Sequence, residues 1–168
     1  NVVELSPALQ RFARALEITL QKPVTACLFW SKARAGAKVH YDNRDNLVVQ
    51  LSGRKRWFVS TDAPALHNDW AEADEAGARL RDPRVIDVEP GDLLYIPRGV
   101  THTVESTTES LHLAILFTPV TLRETLIAAL DHLSDLDRTF RETALPRCYA
   151  GIDALPDRVW SALNQLLA

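Results

Sequence analysis

The sequence predicts a mainly β domain of antiparallel strands with helices at both ends. Three observations predict it: short runs rich in β-branched and apolar residues, Pro and Gly turn signals between those runs, and helical periodicity confined to the two ends. At 168 residues and 46% hydrophobic content, the chain can bury a substantial core in one globular domain. Ser6-Pro7 is an N-cap and first-turn pair, and Leu9, Phe12, Leu16 and Leu20 follow at helical spacing, so a helix opens the chain. A strand is expected from about 24 to 32. The apolar run Asn46 to Leu51, the Ser52-Gly53 turn and the run Lys55 to Val59 read as a hairpin that returns Lys55 toward the segment carrying His40. Residues 61–84 carry Asp62, Pro64, Asp69, Glu72, Asp74 and Glu75, and read as a partly helical insertion, either an ordinary surface loop or a substrate lid. Val85 to Val88, a Glu89-Pro90-Gly91-Asp92 turn, the strand from Leu93 and a Pro97-Arg98-Gly99 turn then place His102 at the start of another strand. Ser110 to Ile115 continues the sheet to about Phe117. Leu122, Leu126, Ala129, Leu130 and Leu133 form a helical stripe within 121–141, and a short helix is expected over 156–167. The chain shows no internal repeat or low-complexity segment.

His40-Tyr41-Asp42 and His102 carry the chemistry. In an extended segment alternate side chains share a face, so His40 and Asp42 point one way and Tyr41 the other, and one segment offers two ligands to one ion. Two histidines and a carboxylate on one face of an octahedron form the ligand set of non-haem Fe(II) oxygenases, with positions left for a co-substrate and O2. His-x-Asp by itself is weak, because it recurs as His67-Asn68-Asp69, where no strand alternation surrounds it and no lysine follows on a returning strand. Taken singly, a histidine is more often a satisfied core residue than a ligand, and the joint context favours metal. Lys55 alternates with Arg54 and Arg56 and shares the face of Trp57, so it turns inward rather than joining an exposed cationic run. His112 alternates with Leu111 and Leu113 and either approaches the site or packs as a buried structural residue. His132, on the amphipathic stretch, is expected at the surface.

The run from His40 through Asp42, Asn46, Gln50 and Gly53 to Lys55 and Trp57 resembles the core of the JmjC and cupin-like 2-oxoglutarate oxygenases. Pro90-Gly91-Asp92 through Pro97-Arg98-Gly99 to His102 resembles the second metal motif of that family, in the wording of its ribosomal-protein hydroxylases, and Ser110-Leu111-His112-Leu113-Ala114-Ile115 resembles the strand that follows. The resemblance spans about 23–118. It implies a double-stranded β-helix, the cupin or jelly-roll barrel, over 1–120 with its N-terminal helix, and a helical tail over 121–168. It further implies that His40, Asp42 and His102 bind Fe(II), that Lys55 holds the distal carboxylate of 2-oxoglutarate, and that Asn46 and Gln50 line the pocket. Where the family's asparaginyl hydroxylase of hypoxia-inducible factor has a threonine three residues before the first histidine, this chain has Ala37, so the co-substrate pocket is completed differently. The expected reaction is 2-oxoglutarate-dependent hydroxylation with O2, on a protein or peptide side chain. The alternatives are a small-molecule or amino-acid hydroxylase of the same family, and a cupin binding module without turnover. The helical tail either mediates a homodimer, as in similar oxygenases, or packs on the chain's own barrel.

A net charge of −3 gives no electrostatic case for nucleic acid. No apolar run reaches membrane-spanning length. Cys27 and Cys148 lack CxxC spacing, so neither a zinc knuckle nor a disulfide framework is expected, and a reducing cytoplasm fits. The sequence contains no methionine, so an upstream segment is expected before residue 1.

Overall fold

The computed structural model of the protein describes residues 2–66, 78–142 and isolated positions between 157 and 164. Among them are α1 (Pro7–Leu20), β1 (Val24–Ser31), β2 (Asp45–Ser52), β3 (Lys55–Val59), β4 (Arg84–Val88), β5 (Leu93–Ile96), β6 (His102–Ser106), β7 (Ser110–Phe117) and α2 (Leu122–Leu136). The strands form two sheets, ordered β1-β7-β2-β5 and β4-β3-β6, with every pairing antiparallel. From β2 to β7 the chain passes repeatedly from one sheet to the other. This is the jelly-roll topology that the sequence predicts.

Two local expectations are corrected. β2 and β3 do not form a hairpin, because they belong to different sheets. Gly53 makes the crossing: it takes φ +66° against the backbone of Glu109 and Ser110, where an added Cβ would lie 2.0 Å from the Glu109 carbonyl oxygen. The connection therefore passes tightly under the β6–β7 turn instead of reversing within one sheet. The His40-Tyr41-Asp42 segment, in turn, is not a strand. Residues 34–40 run along the edge of β6, with Arg34 N donating to Ser106 O, Ala37 N to Val104 O and His40 N to His102 O, yet only isolated bridges form, at Gly36–Glu105 and His40–His102. Tyr41 is still buried while His40 and Asp42 are half-buried, so the alternation survives without a ladder.

Ser6 caps α1 by accepting from Leu9 N, Pro7 starts it, and Gln21 leaves it in the left-handed region at φ +54°. Leu9, Ala13, Leu16 and Leu20 lie against the outer face of the first sheet at Val24, Ala26, Leu113 and Ile115. A second cluster, Val48, Trp57, Val88, Ile96 and Val100, fills the space between the sheets. Each well-buried aliphatic or aromatic side chain in these clusters contributes about 1.5–3 kcal/mol.

Polar side chains are buried as well: Asp45, Asn46, Gln50, Lys55, His102, Ser106, Ser110 and His112. Such groups are costly inside a core unless they are paired or serve a ligand.

The chain divides into two compact units after Pro119. In the second, Thr121 and Glu124 form a capping box on α2, and the helix expected to reach 141 ends at Leu136. Asp137 leaves the helix and its side chain accepts from Thr139 N, starting a 3-10 turn over Arg138–Arg141. The second His-x-Asp copy at 67–69 and the central part of the 61–84 insertion lie outside the described residues, as does most of 156–167. No described helix is long and apolar enough to cross a membrane.

Candidate metal centre

His40 and His102 exchange both backbone hydrogen bonds, His40 N to His102 O at 3.0 Å and His102 N to His40 O at 2.8 Å. That exchange sets the imidazoles side by side, with ring centroids 4.5 Å apart. Each Nδ1 lies against the carbonyl two residues back, His40 against Lys38 O at 2.7 Å and His102 against Val100 O at 2.9 Å. A carbonyl can only accept, so both rings carry their proton on Nδ1 and keep a lone pair on Nε2. The two Nε2 atoms face the Asp42 carboxylate, at 4.0 Å to Oδ1 from His40 and 3.7 Å to Oδ2 from His102. The potential ligand atoms of all three residues lie within 4.8 Å of one another. Burial, above all, holds the His102 imidazole below its ordinary pKa, with the neighbouring His40 acting in the same direction, which keeps that lone pair free. Two imidazoles beside a carboxylate fit a divalent first-row metal.

Neighbouring backbone and side-chain groups hold these three residues in place. Gly99 N donates to Asp42 O at 2.7 Å and Asn46 Nδ2 to Asp42 Oδ2 at 3.4 Å. Gly99 has φ +77°, and a Cβ there would lie 2.1 Å from Ala65 O, so only glycine fits between Asp42 and Ala65. Asp45 accepts from Tyr95 Oη and Arg98 N, each at 2.8 Å, and so ties the start of β2 to the turn that leads into His102. Burial, reinforced by the hydrogen bond to Asp45, pushes the Tyr95 phenol up to about 12, so it remains a donor.

Between the sheets Lys55 is 2% exposed and donates to Ser31 Oγ at 2.9 Å, with no carboxylate partner among the described residues. Burial pulls its ammonium down to about 8. Four buried polar atoms on this lining have no hydrogen-bond partner: Asn46 Oδ1, Gln50 Oε1, Trp57 Nε1 and His112 Nδ1. A buried ammonium and the buried Trp57 N–H lacking an acceptor fit an anionic ligand. Ala37 is exposed. The outer cleft at Arg54, Arg56, Asp87 and Glu89 offers no comparable anion site, because Asp87 and Glu89 already pair with the two arginines.

The structure thus brings together His40, Asp42 and His102, places Asn46 on the Asp42 carboxylate, and buries Lys55 and Trp57 on one face of β3. Gln50 points its amide nitrogen back to the Ser52 and Gly53 carbonyls. Sequence reasoning missed Asp45 and Ser31. Asp45 carries no local signal, and Ser31 meets Lys55 only because β1 and β3 lie in facing sheets. Trp57 was detectable as the residue two places beyond Lys55.

A family model described as the JmjC domain matches residues 2–125. The Bacillus subtilis (strain 168) protein YxbC is 29% identical over 160 residues, covering 83% of this chain and 48% of that protein. Ribosomal oxygenase 2 of Rattus norvegicus is 35% identical over 85 residues, 48% of this chain and 18% of that protein. Among solved structures, YcfD, a ribosomal oxygenase from Escherichia coli in complex with cobalt and 2-oxoglutarate, aligns at TM-score 0.51 and 26% identity over 95% of this chain and 42% of that one. The chain spans half or less of the length of these relatives.

Proposed function

Because the chain belongs to the JmjC domain family, we propose that it is an Fe(II)- and 2-oxoglutarate-dependent hydroxylase acting on a side chain of a protein or peptide. One observation carries the reading: two imidazole Nε2 atoms converge on the Asp42 carboxylate while a buried lysine without a carboxylate waits on the same lining. Fe(II) with 2-oxoglutarate and O2 supplies oxidising power, converting the oxo acid to succinate and CO2 as one oxygen atom enters a substrate C–H bond. His40, Asp42 and His102 would hold the ion and, as three protein ligands, leave it room for co-substrate and O2. Asn46 fixes the carboxylate, Gly99 N holds the Asp42 backbone carbonyl, and the two Nδ1–H bonds fix the rings. Lys55 pairs with the far carboxylate of the co-substrate, for which its burial otherwise has no use. Val48, Trp57 and Ile96 exclude water around it.

A macromolecular substrate is supported by the open side of the centre. The His40 and Asp42 side chains are 31% and 32% exposed against 2% for His102, so the reacting position faces outward. The similarity to ribosomal oxygenases points the same way. We further propose that 1–120 is the oxygenase barrel, that the 121–168 tail supports a homodimer through its apolar stripe, and that the protein works in the cytoplasm, where Cys27 and Cys148 stay reduced.

The test is incubation with Fe(II), ascorbate and 2-oxoglutarate, with and without cell extract, following succinate by NMR. Succinate formation stimulated by a protein fraction, and absent in Asp42→Ala, is the expected result. Stimulation by a small-molecule fraction alone would move the substrate to that class. No succinate under any condition would leave a binding module.

A further inference from the structure

We propose that His112 is a ligand-binding residue, its neutral imidazole acting with the Trp57 indole N–H and Lys55 as a three-donor anchor for the distal carboxylate of a five-carbon 2-oxo diacid. This rests on the reading of the site as a 2-oxoglutarate pocket and names the groups that complete it where Ala37 offers no hydroxyl.

The argument begins with what an imidazole at this position costs. His112 is 4% exposed and its Nδ1 has no partner. A buried donor or acceptor left unmade costs about 1–3 kcal/mol, and leucine or phenylalanine would fill the same volume without that cost. The ring is also held in orientation, stacked on Phe29 with centroids 5.0 Å apart and planes 16° apart, and meeting Trp57 edge-on at 5.7 Å. A side chain fixed this firmly and left unsatisfied is poised for a partner that the described residues do not supply.

The neighbours are in the same condition. Trp57 is 3% exposed and its Nε1–H, which can only donate, is unpaired. Lys55 has one hydroxyl and, among the described residues, no carboxylate. The hydroxyls close by are engaged with each other and with the lysine: Ser110 Oγ donates to Ser106 Oγ at 3.1 Å, and Ser31 Oγ receives Lys55 Nζ. Gln50, directly across from His112 in the β2–β7 register, uses its amide nitrogen on the Ser52 and Gly53 carbonyls and leaves Oε1 unpaired. This lining therefore combines one cation, the uncommitted Trp57 N–H, an imidazole with an unpaired Nδ1 and a rigid aromatic wall, and with the His112 proton on Nδ1 a carboxylate would take up all three as donors. The imidazole suits the task because it stays neutral: burial first, and the charge of Lys55 second, press its pKa to about 4, so no second cation opposes the lysine.

The experiment uses the full chain loaded with Mn(II) under anaerobic conditions. Calorimetry reads the dissociation constant of 2-oxoglutarate, and thermal melts are run with and without the co-substrate. His112→Phe keeps the ring stack and removes the polar atoms, and His112→Gln restores an N–H donor. Expected are unchanged Mn(II) affinity in both variants, a rise of at least about tenfold in the 2-oxoglutarate dissociation constant for His112→Phe, and recovery of part of that loss in His112→Gln. The ligand-free melting temperature of His112→Phe should equal or exceed that of the unsubstituted chain, while its co-substrate-induced shift shrinks. Unchanged 2-oxoglutarate affinity in His112→Phe, or a lower ligand-free melting temperature with full co-substrate binding, overturns the inference and makes His112 structural. Failure of the unsubstituted Mn(II) protein to bind 2-oxoglutarate at all overturns the functional reading itself, and this inference with it.

Discussion

Lys55 concentrates the tension between stability and function in one side chain. An ammonium pressed from 10.5 to about 8 by burial is destabilised in the folded state. The sign follows from proton counting: the unfolded chain takes up the proton first as pH falls below 10.5, so folding stability declines between there and about 8 and carries the full penalty at pH 7. The penalty is about 3 kcal/mol at one pKa unit per 1.36 kcal/mol, reduced by whatever water reaches the group. Lys55→Met should therefore raise ligand-free stability by about 1–3 kcal/mol in urea titrations while weakening 2-oxoglutarate binding at least about tenfold. A variant that is both less stable and equally able to bind would show that Ser31 and the lysine form a structural pair instead.

At the scale of elements, His40 and Asp42 sit on irregular backbone and His102 on the first residue of β6, directly after a turn that its neighbours hold from outside. The turn from Pro97 to Gly99 is tied to β2 by Asp45, to Asp42 by Gly99 N, and to residue 65 by the Ala65 N–Gly99 O bond of 2.8 Å. Asp45→Ala leaves the Tyr95 hydroxyl and Arg98 N without their acceptor, which costs about 1–3 kcal/mol. Because the turn then no longer fixes His102 against His40, Mn(II) affinity should fall about 10–100-fold, the range for lost outer-shell support. Asp45→Asn keeps an oxygen to accept from Arg98 N and turns an amide N–H toward Tyr95 Oη, which can accept it, so it should retain most of that affinity, measured by competition with a fluorescent chelator. Gly99→Ala meets both a left-handed backbone and the Ala65 carbonyl, so it should lower the melting temperature and metal affinity together. Normal metal binding in Gly99→Ala would mean that the turn does not position Asp42.

For the whole molecule, the site couples ligand and proton binding to folding. Metal bound only by the folded chain stabilises it by mass action, about 2.7 kcal/mol at a hundredfold excess over the dissociation constant. Mn(II) should raise the melting temperature, EDTA should reverse the rise, and Asp42→Ala should abolish it. A separate pH effect comes from His112, which burial holds at about 4 in the folded protein against 6.5 unfolded. Neutral His112 contributes stability above about 6.5, and that contribution is lost as pH falls through about 4, because the unfolded chain binds the proton first. Urea titrations at pH 7, 5.5 and 4.5 should therefore show a steeper acid loss in the unsubstituted chain than in His112→Phe; parallel profiles would contradict the burial. The sequence by itself determined the opening helix, the strand runs, the turn glycines and the pairing of Lys55 with Trp57 on one face, since caps, turn chemistry and side-chain alternation are local properties of the backbone. It also held the metal motif, because His40 and Asp42 are near neighbours and His102 follows a legible turn. Only the tertiary structure decided that β2 and β3 part into different sheets, that His40 meets His102 through an isolated bridge rather than a ladder, and that Ser31, Asp45 and His112 stand around the site. Those facts depend on which strand edges meet across the barrel, and long-range pairing leaves no periodicity for a sequence to display.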